Sequence, residues 1–126
     1  MEEIPRGTET LLVIDDEEVI RKSLSAYLSS QGYRILLGKD GRDGLNVYEQ
    51  HEKEIALVLL DLSMPQMTGQ EVLGALRDLN PNLKVIIFTG YSTHAEEFED
   101  SLPVITKPVT GHAVARRVRE VLDAGD

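Results

Sequence analysis

The sequence predicts an α/β fold of the (βα)5 kind, a doubly wound, five-stranded parallel sheet, and three observations carry that expectation. Five short apolar runs alternate along the chain with five stretches that read as helices. The third run, Ile55 to Leu60, is apolar without interruption, as suits a strand buried on both faces under two layers of helix. Four of the five runs end in an acid, a hydroxyl or an ammonium, and in open α/β sheets the carboxyl ends of strands are where ligands bind.

Met1 to Thr10 is polar, contains Pro5 and Gly7, and reads as a tail or linker, so residues 11–126 form one expected domain. Leu11 to Ile14 is the first strand and runs into four acids, Asp15 to Glu18. Val19, Ile20, Leu24, Tyr27 and Leu28 then recur at helical spacing up to Gly32, a suitable C-terminal cap. Tyr33 to Leu37 is the second strand. Gly38, Gly41 and Gly44 follow, with Asp40 placed to cap a helix that runs through Gln50. After the third strand, Thr68 and Glu71 have capping-box spacing and open a helix with Val72, Leu73, Leu76 and Leu79 turned inward. Asn80 to Asn82 make a turn, and Lys84 to Phe88 the fourth strand, which ends at Thr89 and Gly90. Thr93 and Glu96 open a short acidic helix to about Asp100. Val104 to Thr106 is the fifth strand, closed by Lys107 and Pro108, and the last helix covers roughly Val109 to Leu122 with Val114, Val118, Val121 and Leu122 inward.

Composition bounds the function. A chain of 126 residues builds one real core and not two. It has 41% hydrophobic and 28% charged residues, ordinary for a globular protein, and no cysteine, so disulfides and thiolate metal sites are excluded. No apolar run reaches membrane-spanning length and no leader pattern opens the chain, so a cytoplasmic location is expected, without membrane insertion. The 22 acids outnumber the 13 bases and give a net charge of −9, which repels phosphate backbones and speaks against direct DNA binding.

The strand ends carry the chemistry. The first strand ends at Asp15 and Asp16, the third at Asp61, the fourth at Thr89 and the fifth at Lys107. In a parallel sheet these ends share one rim. Three carboxylates gathered there repel one another unless a proton or a divalent cation intervenes, and oxygen-only ligands favour Mg2+ or Mn2+. A hydroxyl and an ammonium facing that cation suit a phosphoryl dianion, so the set reads as a carboxylate nucleophile that accepts a phosphoryl group.

With these residues in place the chain resembles the receiver domain of bacterial two-component response regulators. The pattern is Asp-Asp after the first strand, Asp-x-x-Met-Pro at Asp61 to Pro65, Thr-Gly at Thr89 and Gly90, and Lys-Pro at Lys107 and Pro108, over nearly the whole chain. The resemblance implies a flavodoxin-like receiver fold. It makes Asp61 the phosphoacceptor and Asp16 a direct ligand of Mg2+, with Asp15 acting through water and the Ser63 carbonyl as a further ligand. It gives Thr89 a hydrogen bond to the phosphoryl group, pairs Lys107 with it, and places a cis peptide at Lys107–Pro108. The implied partner is a sensor histidine kinase or a histidine phosphotransfer protein.

Two positions depart from the family pattern. Val104 stands where the family often has an aromatic switch residue, and the segment from Thr89 to Lys107 is short and acidic where regulators commonly dimerise, so a monomer or weak dimer is expected. The lead-in from Arg6 to Glu17 is also similar to that of receivers at the C-terminus of hybrid sensor histidine kinases.

Plainer readings stand beside these. Glu17 and Glu18 suit a helix N-terminus, and Met64 and Met67 suit packing. Gly38, Gly41 and Gly44 do not match a dinucleotide loop, and His51, His94 and His112 lack metal-ligand spacing and read as surface residues. Two other functions compete. A haloacid-dehalogenase-type aspartyl phosphatase would need a second acid where Ser63 stands, and a cap domain. A degenerate receiver acting only as an interaction module would fail to bind beryllofluoride with Mg2+.

Overall fold

A computed structural model of the chain describes residues 6–62, 64, 67–89, 103–106 and 110–124, the side chains of Thr89 and Thr106 excepted. Five parallel strands form one sheet: β1 (Thr10–Ile14), β2 (Arg34–Gly38), β3 (Ile55–Asp61), β4 (Lys84–Thr89) and β5 (Val104–Thr106). Their spatial order is β2-β1-β3-β4-β5. Four described helices flank it: α1 (Glu18–Ser30), α2 (Gly41–His51), α3 (Gly69–Leu79) and α4 (Gly111–Asp123). The acidic helix expected over 93–100 lies outside the described residues.

Period-two alternation divides the strand side chains between two cores. Leu11, Val13, Leu57, Leu59, Ile86 and Phe88 pack with α1 and α4. Leu12, Ile14, Val58, Leu60, Val85 and Ile87 face the other way, toward α2 and α3. Both faces of β3 are covered, which is why its sequence is apolar throughout.

Local chemistry sets the helix starts. Asp40 accepts the Asp43 amide at 2.8 Å, and Thr68 and Glu71 form the reciprocal capping box. One inward assignment is corrected, since Leu79 is 40% exposed, and Val19, one of the residues at helical spacing in α1, is 74% exposed. Each lies in an end turn of its helix. Leu24 and Leu28 of α1, and Val72 and Leu76 of α3, already fill the buried stripe. Met64 is buried and Met67 packs against the α2–α3 face, as their packing role requires. Among the described residues no helix is long and apolar enough to cross a membrane.

Candidate metal and phosphoryl site

Because β1 and β3 are neighbours while the chain leaves them toward opposite edges, their carboxyl ends bound the crevice at the topological switch point. Asp15 and Asp16 directly follow β1, and Asp61 is the last residue of β3. The fold brings these three predicted residues together: one carboxylate oxygen from each lies within 4.8 Å of the others. Asp15 and Asp61 are fully buried and Asp16 is exposed, so the cluster has a closed floor and an open side.

Backbone contacts hold the floor in place. The Asp15 amide donates to the Gly38 carbonyl at 3.2 Å, which ties the end of β1 to the end of β2. The Leu62 amide donates to the Phe88 carbonyl at 3.0 Å, which does the same for β3 and β4. Asp15 Oδ1 accepts the Glu17 amide at 2.8 Å, so this acid orders the start of α1, where Glu17 supplies no cap of its own. Glu18 lies in the first turn of α1, the helix N-terminus expected of it, and pairs there with Lys22 at 3.1 Å.

Sequence reading missed Arg21, whose Nη1 donates to the Asp15 carbonyl oxygen at 2.7 Å and steadies the turn behind the cluster. Its signal is position: it begins the second turn of α1, six residues after Asp15, where a long side chain can reach back over the helix start. Gly38 was seen but not explained. A Cβ there would stand 2.6 Å from Gly44 Cα, so a side chain would separate β2 from α2 beside the acid floor.

Of the other predicted site residues, Thr89 ends β4 in register with Thr106 of β5, at the same rim. Ser63, Lys107 and the Lys107–Pro108 bond lie outside the described residues. Val104, at the usual aromatic position, is half-buried against the α2–α3 core. His51 lies within 3.2 Å of Glu54 and His112 within 3.1 Å of Arg116, both in exposed settings.

The donor set fits a hard divalent cation: three carboxylates converge, oxygen is the only ligand type, and one side is open for water and an anion. Such a cluster can neutralise a cation, and the buried Asp61 oxygen can act as a nucleophile once its charge is balanced.

Comparison with known proteins bears on what this arrangement serves. The sequence model of the response regulator receiver domain matches residues 11–119. The sensor kinase CckA of Brucella abortus is 31% identical over 126 residues, an alignment that spans 95% of this chain and 13% of the kinase. The response regulator MprA of Mycolicibacterium vanbaalenii is 31% identical over 119 residues, spanning 89% of this chain and 49% of the regulator. The chain thus spans half or less of the length of these relatives. In structure it is similar to a chain of the CheX–CheY–BeF3–Mg2+ complex from Borrelia burgdorferi, with a TM-score of 0.84 at 26% identity over 92% of this chain and 90% of that one.

Proposed function

Because this chain belongs to the response regulator receiver domain family, we propose that it is a phosphoacceptor signalling module whose acceptor is Asp61. A carboxylate oxygen of Asp61 attacks the phosphorus of a kinase phosphohistidine. The phosphorus–nitrogen bond breaks, its electron pair returns to the imidazole, and an acyl phosphate remains on Asp61. Attack by water regenerates the carboxylate and releases inorganic phosphate. Attack by the imidazole of a histidine phosphotransfer protein passes the group on instead.

Asp15, Asp16, Asp61 and the Ser63 carbonyl would hold Mg2+, with Mn2+ as a substitute. When bound, the ion supplies positive charge that offsets the carboxylates and the phosphoryl oxygens. The remaining roles fall to the chain itself. Asp15, held by its bond to the Glu17 amide, keeps the floor of the site in shape. The Thr89 hydroxyl donates to a phosphoryl oxygen, and the Lys107 ammonium pairs with the acyl phosphate. The domain is the substrate of the transfer and shapes its own reaction, so it does not turn over a separate small molecule. A sensor histidine kinase or phosphotransfer protein is its partner, in the cytoplasm, and the resemblance to a sensor kinase supports a place as the receiver module of a longer kinase.

The observation that carries this reading is the meeting of Asp15, Asp16 and Asp61 at the β1–β3 switch point. Incubation with acetyl phosphate and Mg2+, followed by intact-mass measurement, tests it. One labile phosphoryl adduct is expected, absent in Asp61→Ala. An adduct that persists in that variant would remove Asp61 from the role.

A further inference from the structure

The rim of the sheet opposite the acid cluster holds a second charge cluster, centred on Arg119 in the last turns of α4. Its Nη2 donates to Glu9 Oε2 at 2.8 Å and to Asp123 Oδ1 at 2.8 Å. Nη1 donates to Glu9 Oε1 at 3.1 Å and to the Arg6 carbonyl oxygen at 3.1 Å. Nε donates to Asp123 Oδ2 at 3.0 Å. A guanidinium carries five N–H bonds in a fixed fork, and here each has an acceptor. The Arg119 side chain is only 24% exposed, while its Asp123 partner faces solvent at 63%. A guanidinium filled in this way has no N–H left for a ligand from outside; its acceptors belong to the chain.

Two of those acceptor groups, Glu9 and the Arg6 carbonyl, lie in the segment that leads into β1. The same segment is held from a second direction. The Gly7 amide donates to the Gln31 carbonyl at 3.1 Å, and the Arg34 amide donates to the Glu9 carbonyl at 3.1 Å. These bonds straddle the turn between α1 and β2. That turn is built to receive the segment: Gly32 sits at φ +104°, and a Cβ on it would stand 2.3 Å from the Gly7 carbonyl oxygen. A Cβ on Gly7 would meet the side chains of Tyr33, Glu9 and Arg119. Arg6 to Glu9 and Asp123 all fall outside residues 11–119, the span shared with the family.

We infer that residues 6–9 form a strap, pinned by the Arg119 guanidinium and seated on Gly32, which fixes the chain's entry into the domain against the α1–β2 turn and the last helix. The pin depends on the fork as well as the charge, because a lysine offers three donors from one point to acceptors spread around a plane. A displacement of the chain ahead of Arg6 is then carried into α1 and α4 rather than absorbed by a slack linker. This inference stands apart from the phosphoacceptor reading, and its test does not involve phosphorylation.

Backbone 15N relaxation on the whole chain measures order in folded molecules only, so a loss of stability does not imitate the result. In the wild type, Gly7, Thr8 and Glu9 are expected near the order parameter of rigid backbone, about 0.85, alongside Val58 in β3. In Arg119→Lys and in Glu9→Gln the three strap residues are expected to fall below about 0.6 while Val58 keeps its value. Arg117→Met, which breaks the exposed pair with Glu120, leaves the strap rigid. Glu9→Gln lies on the surface segment and leaves both cores untouched, so it keeps the test open if Arg119→Lys folds poorly. Strap residues already mobile in the wild type, or still rigid in both variants, would overturn the inference.

Discussion

The two rims of the sheet solve opposite electrostatic problems. At the carboxyl rim, β1 and β3 bring Asp15, Asp16 and Asp61 within 4.8 Å, three side chains of one sign, two of them fully buried. At the amino rim, one guanidinium stands between two carboxylates, and every N–H finds an acceptor from the chain. Like charges held close raise the free energy of the fold, and a cation or a reaction at that place relieves it. Opposite charges in a saturated network contribute to the fold and leave nothing over for a ligand. Arg21 sharpens the contrast. It sits beside the acid cluster, yet its Nη1 goes to the carbonyl of Asp15. Among the described residues the acid cluster is where chemistry is to be sought, and the saturated guanidinium network holds the chain together.

The largest effect expected from breaking this contrast is all-or-none. Asp61→Asn keeps the shape of the side chain and removes the nucleophilic carboxylate, so labelling by acetyl phosphate should vanish while the fold persists. Glu9→Gln, at the other rim, should label at the wild-type rate. Equal labelling of all three proteins, read by intact mass, would end the assignment of chemistry to the carboxyl rim.

Metal addition comes next. A cation that binds the folded cluster and not the unfolded chain should raise unfolding free energy by about 2.7 kcal/mol at a concentration one hundred times its dissociation constant. Thermal melts with Mg2+ and with a chelator measure this. The increment should shrink in Asp16→Asn, whose carboxylate faces the open side of the site, and remain full in Arg119→Met. An equal increment in all proteins would place the metal elsewhere.

Glycines at the rim test the backbone behind the charges. Gly38 braces Asp15 through its carbonyl, and its missing side chain lets α2 approach β2. Gly38→Ala forces a Cβ against the backbone of Gly44, which cannot rotate away, and overpacking of this kind costs about 1–3 kcal/mol. Because Asp15 moves with that strand end, the Mg2+ increment should fall as well. Gly74→Ala is the control: a Cβ there meets nothing within 4 Å, and in the middle of α3 it should stabilise by about 0.5–1 kcal/mol. Chemical denaturation of the two variants measures the difference.

The sequence was legible where local patterning and global topology agree. The unbroken apolar run of β3, the Asp40 cap and the Thr68–Glu71 box each declared an element, and the order of elements then placed Asp15, Asp16 and Asp61 at one crevice. Leu79 misled because helical spacing identifies a stripe but not where a helix end runs past its neighbours. Arg119 and Glu9 were invisible for a different reason. They are 110 residues apart, and one arginine among three in the run Arg116 to Arg119 carries no mark of a distant partner. Gly32 declared its place at the end of α1 but not the segment seated on it, and Gly7 declared nothing, since a close approach between segments distant in sequence has no local period.

The smallest effect expected is also the most specific to the amino rim. Hydrogen bonding to Arg119 holds the Glu9 carboxyl well below its ordinary value of 4.5, at about 2, against an opposing push from burial. Arg119, Asp123 and Tyr33 are the groups that face it, and the Arg119 guanidinium stays charged throughout because both acids push its own pKa upward. A folded-state value below the unfolded one means that the ionised carboxylate favours folding. The contribution is therefore complete above about pH 4.5 and is lost as pH falls toward 2. The stability difference between wild type and Glu9→Gln should accordingly be full at pH 6 and nearly gone near pH 2. The contribution should be modest, because Glu9 remains partly open to solvent and salt screens such a pair. Carbon-detected NMR titration of the Glu9 carboxyl gives the direct measurement, with a midpoint near 2 in the wild type that moves up toward 4.5 in Arg119→Met. A midpoint that stays in place without the guanidinium would show that the strap is held by its backbone bonds to Gln31 and Arg34 and not by the fork.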